Sequence, residues 1–388
     1  MKKYDFDTPV NRRGTNSLKW DVEENELPMW VADMDFQTAP PIRDAIERRA
    51  KLGVFGYEIV PDEWYSAVSG WWARRHGFEI DKDWLCFCTG VIPAITSAVK
   101  RVTNAGDNIV IQTPVYDIFF HSVENTGRHV LENELVYRNG EYGIDFEDLE
   151  KKLSQPLTTM LILCNPHNPV GKIWSKEELK KIGALCNKYG VTVLSDEIHC
   201  DLTEPDAGYT PFACASEVCK KISITCVAPS KAFNLAGLQS AAVIVPQREL
   251  RNKIVLGLNS DEIAEPNSFA VTGAVAAFNE GGQWLDELRD YLSLNKKTAT
   301  EFIRARLPEI TVIKQTATYL LWLDCSAVCG DTAPLCEHIR KTTGLFVTAG
   351  GQYRGNGKAF IRVNVACTRA TLSDGLERLE RGIKSYKK

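Results

Sequence analysis

The chain has 388 residues, of which 46 are lysine or arginine and 50 are aspartate or glutamate, so its formal net charge is −4. This length predicts two domains, and the 44% hydrophobic and 25% charged residues are typical of a globular protein and exclude a disordered or fibrous chain. The slightly acidic balance argues against nucleic acid as a partner, and no apolar run approaches the ~20 residues that cross a membrane.

Acidic residues appear within the first few positions of the chain, and no apolar stretch of the signal-peptide kind is present there. A cytoplasmic location is therefore expected. The twelve cysteines include no C-x-x-C pair, which favours reduced thiols that pack as small hydrophobes. The six histidines lack the spacing of a metal site, and no metal is expected.

The chain begins with a segment, residues 1–45, whose apolar stretch Pro28–Phe36 is not stable as an independent element. We expect it to dock on another part of the molecule and to complete the C-terminal unit. Residues 46–283 alternate short apolar runs with longer amphipathic segments, which predicts a βαβ sheet. The predicted strands are Trp84–Cys88, Asn108–Gln112, Met160–Cys164, Thr192–Ser195, Ser223–Val227 and Ala242–Val245, and the predicted helices are Ile92–Val102, Tyr116–Asn125, Lys176–Tyr189 and Arg248–Leu258.

The strand Met160–Cys164 is continuously apolar, as expected when helices cover both faces of a parallel sheet. Residues 284–388 predict a smaller α+β unit. The fold class is therefore α/β, with a large domain around a mostly parallel sheet and a smaller α+β domain formed by the N- and C-terminal segments. The elements predicted for the smaller unit are the helix Trp284–Leu307, the strands Thr318–Leu323 and Phe360–Val365, and the helix Arg369–Tyr386.

Polar residues follow several of the predicted parallel strands, at the sheet edge where α/β proteins bind ligands. Thr89–Ala94 opens a helix whose free N–H groups and dipole can hold a phosphate, although a plain tight turn is the alternative. Asn165–Gly171 contains two Asn-Pro pairs and a glycine, which predict a rigid functional loop that aims Asn168 at a fixed point.

Two charged residues come directly after apolar strands. Burying Asp196 is costly unless a cation or hydrogen-bond donors meet it, and the alternative is a helix N-cap. Lys231 lies between Pro229 and the apolar pair Ala232 and Phe233, a setting that lowers the pKa of an amine and frees it as a nucleophile, although an isolated lysine is more often a surface residue. An amine that forms Schiff bases, a phosphate cradle and a buried carboxylate together predict pyridoxal 5'-phosphate as the cofactor.

At these residues the sequence resembles the fold-type I pyridoxal-phosphate enzymes, the class I/II aminotransferase superfamily, over nearly the whole chain. The motif order agrees: a phosphate turn, an aromatic residue after Thr113-Pro114, the Asn-Pro loop, an aspartate after a strand, Ser-Lys and a late arginine. Within the superfamily it is most similar to the cystathionine β-lyase-like C–S lyases. The stretches that carry this similarity are Trp30–Phe36, Phe55–Tyr57, Ser195–His199, Thr318–Asp324 and Phe360–Asn364.

The resemblance implies catalytic roles for three residues. Lys231 would carry the cofactor on its amine and later move the Cα proton as general base and acid. Asp196 would keep the pyridine nitrogen protonated, and Tyr116 would stack on the ring.

The resemblance also implies cofactor and substrate contacts, with Asn168 on the phenolic oxygen and Arg362 on the substrate α-carboxylate. Tyr57 would reach the phosphate from a neighbouring subunit, because sites of this family lie at a homodimer interface. The implied cofactor-binding residues are Gly90, Val91, Ile92, Tyr116, Asn168, Asp196, His199, Ser230, Lys231 and Tyr57, and the implied substrate-binding residues are Arg362, Ala32, Tyr57 and Asn168.

The sequence departs from the aminotransferase pattern at three positions. His199 stands where many aminotransferases have tyrosine, Gln239 stands where they have a phosphate-binding arginine, and Ala228 stands where many relatives have serine. The first two departures favour the lyase group.

The resemblance thus implies β-elimination from a sulfur amino acid such as cystathionine, cystine or cysteine, giving a thiol, pyruvate and ammonia. An aminotransferase, which shares every step up to the carbanion, stays open, and so does a regulatory or interaction protein that keeps the fold and the cofactor. A nicotinamide dehydrogenase is disfavoured, because no predicted strand leads into G-x-G-x-x-G.

Several other residues are expected to have structural roles only. They are the aromatics Tyr319 and Trp322, the acidic residues Asp33 and Asp35, which would brace the N-terminal segment, and the histidines His121, His129 and His338.

Overall fold

The structure is a computed structural model, and it describes residues 3–386. Its helices are α1 (Pro40–Lys51), α2 (Asp62–His76), α3 (Val91–Val102), α4 (Ile118–Glu124), α5 (Phe146–Leu153), α6 (Lys176–Lys188), α7 (Phe212–Ala215), α8 (Glu217–Ile222), α9 (Pro229–Ala232), α10 (Arg248–Ser260), α11 (Ala270–Glu280), α12 (Gly282–Arg306), α13 (Thr332–Thr343) and α14 (Arg369–Tyr386). Its strands are β1 (Leu27–Pro28), β2 (Leu85–Cys88), β3 (Asn108–Thr113), β4 (His129–Glu134), β5 (Val136–Arg138), β6 (Glu141–Gly143), β7 (Thr158–Cys164), β8 (Thr192–Asp196), β9 (Ser223–Val227), β10 (Ala241–Ile244), β11 (Thr311–Val312), β12 (Leu320–Asp324), β13 (Leu345–Phe346), β14 (Thr348–Ala349) and β15 (Phe360–Asn364).

The central sheet has seven strands in the order β2-β10-β9-β8-β7-β3-β4. Strand β10 is antiparallel to both of its neighbours, and the other pairings are parallel, so the prediction of a mostly parallel sheet is confirmed. Asp196 at the end of β8 pairs with Cys164 on β7 and with Cys226 on β9. The carboxyl ends of three neighbouring strands therefore open at one edge, where α/β sheets bind ligands.

Helices cover both faces of this sheet, as the apolar run of β7 predicts. Met160 and Ile162 pack in one core cluster with Val91 and Ile95 of α3. Leu161 lies on the opposite face, in a cluster that includes Leu179 and Ile182 of α6. Alternate residues of one strand thus contribute to two different cores.

A second, antiparallel sheet has the order β11-β12-β15-β14. The N-terminal segment joins this part through β1, which pairs in parallel with β13, and through Met29, which packs in the same core cluster. Phe6 and Phe36 of the same segment pack instead in a cluster with α2 and the first half of α12. The segment therefore docks on other parts of the chain, as predicted, and contacts the cores of both units.

The predicted boundaries need small corrections. The helix expected over Tyr116–Asn125 begins at Ile118, which leaves Tyr116 in the preceding loop. The strand expected from Thr318 begins at Leu320, because Thr318 has a φ of 65°, outside the extended region. The division into residues 1–45, 46–283 and 284–388 stays a prediction, and residues 1, 2, 387 and 388 of its outer ranges lie outside the described residues.

The twelve cysteines are free thiols, and ten of them are buried, in agreement with their expected role as small hydrophobes. Across residues 3–386, none of the helices has both the length and the apolar character needed to cross a lipid bilayer.

Candidate active site

Lys231 lies on the short helix α9, which directly follows the buried strand β9. Its Nζ donates a hydrogen bond to the backbone carbonyl of Ala32 at 2.7 Å. Burial and the nearby Arg362 cation lower the pKa of Lys231 to about 8, and the charges of Asp33 and Asp196 oppose this shift. The amine is therefore uncharged in a far larger fraction near neutral pH than an ordinary lysine, as its apolar sequence setting predicts.

Asp196 ends β8 and is only 4% exposed. Its Oδ1 accepts a hydrogen bond from the Ile198 N–H at 3.1 Å. Burial, and to a smaller degree the neighbouring Glu197 charge, raise the pKa of Asp196 to about 7, although the Ile198 hydrogen bond and the Lys231 charge act in the opposite direction. A cation at this carboxyl would stabilise its charged form.

Asn168 and Arg362 meet at the same edge, although 194 residues separate them. The Arg362 guanidinium, on β15, donates to Asn168 Oδ1 at 3.3 Å and to the carbonyl of Trp30 at 2.8 Å. Arg362 is 5% exposed, and its Nε has no hydrogen-bond partner among the described residues. The guanidinium is thus held in place and keeps a donor for a further acceptor.

Three aromatic rings surround these charged groups. Tyr116 donates its backbone N–H to the Asn168 carbonyl at 3.1 Å, and burial raises the pKa of its hydroxyl to about 12. The His199 ring is buried edge-on to Tyr319, with centroids 6.4 Å apart, and burial and the Lys231 and Arg362 charges lower its pKa to about 3. Both His199 and Tyr116 are therefore uncharged at neutral pH.

The predicted phosphate turn opens α3. Gly90 is the N-cap residue, Val91 is the first residue of the helix, and no side chain caps this end. A Cβ on Gly90 would come within 3.1 Å of Pro93 Cδ, so the turn has little room for a side chain. Ser230 precedes Lys231 on α9 and is half-buried.

The single chain does not bring Tyr57 to this edge. Its side chain is fully exposed, at 101%, in a stretch without helix or strand. A role for Tyr57 in its own chain's site has no support in this geometry. The role predicted for it across a subunit interface stays a prediction.

Sequence reasoning missed two side chains that shape the site. The Tyr319 hydroxyl, predicted to be a core aromatic only, donates to the Ala32 carbonyl at 2.9 Å, the same oxygen that Lys231 contacts. Asn234, three residues after Lys231, holds the backbone of Met34 and Phe36. No local pattern could have revealed these contacts, because each joins residues about 200 or more positions apart.

The other expected structural roles agree with the geometry. Asp33 and Asp35 pair with Arg12 and Lys19 and brace the N-terminal segment. Trp322 is fully buried and stacks on Phe360. His121 and His129 are exposed, and His338 contacts Ser385.

One cluster outside this edge contains potential metal ligands. His76, Cys200 and Asp201 each bring one ligand atom within 4.8 Å of the others. The Asp201 carboxylate already accepts from Trp71 Nε1 at 3.0 Å, and His76 Nε2 lies 2.9 Å from its Oδ1. His76 and Asp201 are therefore already joined in a hydrogen-bond network with Trp71, and the expectation of no metal stays a prediction.

The residues at the strand ends fit pyridoxal 5'-phosphate. A cation would stabilise the charged form of the buried Asp196 carboxyl, and the uncapped N-terminus of α3 favours a bound anion. The buried His199 Nδ1 and Arg362 Nε have no hydrogen-bond partner within the described part of the chain. A phosphorylated pyridine with an aldehyde for Lys231 matches this set of donors and charges.

Residues 31–379 match the family of class I and II aminotransferases. The chain belongs to this family. It is 45% identical over 381 residues to the cystathionine beta-lyase PatB of Bacillus subtilis, an alignment that covers 97% of this chain and 98% of that protein. It is 31% identical to the protein MalY of Escherichia coli, over 99% of this chain and 100% of that protein.

Solved structures agree with these relatives. The chain is similar to cystalysin from Treponema denticola, which contains a pyridoxal 5'-phosphate cofactor, with a TM-score of 0.95, 32% identity and coverage of 98% and 99% of the two chains. It is also similar to the PLP-bound C–S lyase from Staphylococcus hominis, with a TM-score of 0.92, 29% identity and coverage of 98% of both chains. The predicted family and the fold-type I architecture are therefore confirmed.

Proposed function

We propose that this protein is a pyridoxal-phosphate-dependent C–S β-lyase that converts a sulfur amino acid and water to a thiol, pyruvate and ammonia. The observation that carries the proposal is that Lys231 and the buried Asp196 lie at the carboxyl edge of the central sheet, where the buried Arg362 of the antiparallel sheet meets Asn168. The full-length similarity to a cystathionine β-lyase and to PLP-containing C–S lyases supports the cofactor and the reaction type. Cystathionine, cystine and cysteine are the candidate substrates, and a cytoplasmic location stays a prediction.

Several residues would hold the cofactor: Lys231 by its amine, Asp196 at the pyridine nitrogen, Asn168 at the phenolic oxygen, Tyr116 at the ring face and the start of α3 at the phosphate. When bound, pyridoxal phosphate supplies an electron sink that stabilises negative charge at the substrate Cα. Asp196 would hold a proton at the ring nitrogen and so keep that sink effective.

The chain itself orients the substrate and moves the proton. Arg362, fixed by Asn168 and by the Trp30 carbonyl, would bind the substrate α-carboxylate in a charge-assisted pair. Lys231, whose pKa is lowered to about 8, would take the Cα proton as a general base near neutral pH. The sulfur at Cβ then leaves as a thiolate with the bonding electrons.

An assay without a keto acid separates this reaction from transamination. Purified protein loaded with pyridoxal phosphate is incubated with cystathionine, cystine or cysteine, with and without an added keto acid, and pyruvate is measured. We expect pyruvate to form from a sulfur amino acid in the absence of the keto acid, because elimination needs no amino-group acceptor. Turnover only in the presence of the keto acid would contradict the lyase and identify an aminotransferase.

We also propose that the protein acts as a homodimer. In the stretch between α1 and α2, large apolar side chains are more than half exposed, which is unusual for an isolated soluble protein. A second copy of the chain would cover them, and Tyr57 in the same stretch would then lie at the partner's site. The exposed apolar residues are Leu52, Val54, Phe55, Tyr57 and Ile59.

Mixing two inactive variants tests this shared site. Tyr57→Ala and Lys231→Ala proteins, unfolded together and refolded, should regain lyase activity that neither variant has alone. In a mixed dimer, one of the two sites then combines an intact Lys231 with an intact Tyr57. If the mixture stays as inactive as its components while light scattering shows dimers, Tyr57 does not act across the interface.

A further inference from the structure

Residues 30–36 pass through the site without regular secondary structure. Side chains from other parts of the chain donate hydrogen bonds to their backbone carbonyls. Lys231 Nζ and the Tyr319 hydroxyl both donate to the Ala32 carbonyl, at 2.7 and 2.9 Å. This oxygen is therefore the hydrogen-bond acceptor that holds the amine of Lys231. A buried ammonium also depends on such an acceptor to keep its charge.

Asn234 holds the same segment from a position just beyond the helix that carries Lys231. Its Nδ2 donates to the carbonyls of Met34 and Phe36 at 2.9 and 3.0 Å, and its Oδ1 accepts from the Met34 N–H at 3.1 Å. The residue has a φ of 57°, in the left-handed region that asparagine tolerates better than most residues. Both polar atoms of one side chain are thus directed at residues 34–36.

The other anchors of the segment come from the antiparallel sheet. Asn364 Nδ2 donates to the carbonyls of Val31 and Asp33, at 2.5 and 2.6 Å, and Arg362 donates to the carbonyl of Trp30. These residues lie on β15, so they fix the segment relative to the small sheet. Asn234 fixes it relative to α9 and hence relative to Lys231.

We propose that Asn234 is a positioning residue, which holds residues 34–36 against α9 and thereby keeps the Ala32 carbonyl opposite the Lys231 amine. The inference rests on the proposed function, since it concerns the amine that binds the cofactor. The side-chain hydrogen bonds of Asn234 go to Met34 and Phe36, so its effect on the amine would pass through the backbone between Ala32 and Met34.

The test uses Asn234→Gly, because glycine accepts the left-handed backbone and loses only the side-chain amide. The cofactor-free full chain is mixed with pyridoxal 5'-phosphate, and the rate of covalent uptake is followed by visible absorbance from pH 6 to 10. The rate rises with pH as Lys231 loses its proton, so its midpoint reports the pKa of that amine. We expect the variant's midpoint to lie lower by about half a pH unit or more, because the ammonium loses a well-placed acceptor.

Tyr319→Phe provides a second variant with the opposite expected sign. Removing the competing hydroxyl leaves the Ala32 carbonyl to Lys231 alone, so the midpoint should rise. Asn139→Gly is the matched control: Asn139 also has a left-handed φ, of 52°, but lies at the exposed turn between β5 and β6. Its midpoint should equal that of the unchanged protein.

A purely structural role for Asn234 would lower the thermal midpoint and leave the pH midpoint unchanged, and that result would overturn the proposal. Should Asn234→Gly fail to fold, an upward shift in Tyr319→Phe supports the role of the Ala32 carbonyl, and an unchanged midpoint overturns it. Absence of any covalent uptake by the unchanged protein would instead overturn the proposed function and this inference with it.

Discussion

Replacing Lys231 with alanine should reduce pyruvate release from cystathionine by at least about 1000-fold, because loss of a group that transfers a proton in the transition state alone costs about 100- to 10,000-fold. The same change removes the amine that is proposed to bind the cofactor. Measured at saturating pyridoxal phosphate, the loss should appear in kcat. The visible absorbance of the covalently bound cofactor should disappear with it.

Lys231→Arg separates the chemistry of the amine from its charge. Arginine keeps a cation near Asp196 and Ala32 but does not lose its proton in proteins, so it can neither attack an aldehyde nor accept the Cα proton. We expect it to be as inactive as the alanine variant. The fold of both variants should persist, since Lys231 has one side-chain hydrogen bond, to an oxygen that Tyr319 also contacts. Native-like turnover by either variant would contradict the role given to Lys231.

The sequence predicts the central sheet well because its strands carry their own signal. The run Met160–Cys164 is apolar on both faces. Asp196 is the last residue of β8, and Asn168 and Lys231 lie in the short segments that follow β7 and β9. Parallel strands bring such residues to one edge whatever the details of the loops. This part of the site follows from topology and local pattern together.

The sequence reading missed other elements for different reasons. Helix α2 has a readable pattern, since the buried residues Trp64, Val68 and Trp71 recur at helical spacing. Helix α11 consists largely of small residues that are buried on nearly every side, so its sequence lacks an amphipathic stripe. A fully buried helix and a buried strand cannot be told apart by periodicity alone.

The segment around Ala32 depends on contacts that local patterns do not encode. Its carbonyls meet side chains of residues 231, 234, 319, 362 and 364, which two different units of the chain supply. Its irregular backbone is stable only once those donors are in place, because unpaired buried carbonyls are costly. The sequence indicates that the segment must dock, and the tertiary structure decides which oxygens face the amine.

Asp196→Asn should lower kcat for β-elimination by about 100-fold or more, comparable to the loss of one preorganised electrostatic contact in other enzymes. The amide keeps the size of the side chain and its hydrogen bond from the Ile198 N–H but removes the negative charge that would hold a proton at the pyridine nitrogen. Glu197→Gln is the matched control. This neighbouring buried carboxylate accepts from Ser195, Tyr209 and the Phe212 N–H, so groups of the chain itself already bind both of its oxygens. Glu197→Gln should therefore cost stability and leave kcat within a few-fold of the unchanged protein.

The cofactor-free chain gives Asp196 a second, independent signature. Burial raises its pKa from 3.8 to about 7, so the folded state holds the proton more tightly than the unfolded state. The stability that Asp196 contributes is then fully present below about pH 4 and is lost as the pH rises through 7, because the folded state must bury a charge. The amide in the Asp196→Asn variant does not titrate, so the thermal midpoint of that variant should rise relative to the unchanged protein between pH 4 and 7. Above pH 7 the thermal midpoint of Asp196→Asn should stay higher relative to that of the unchanged protein. A midpoint difference that does not change with pH would show that burial does not destabilise the Asp196 carboxylate. No positive charge on a cofactor would then be needed to stabilise it.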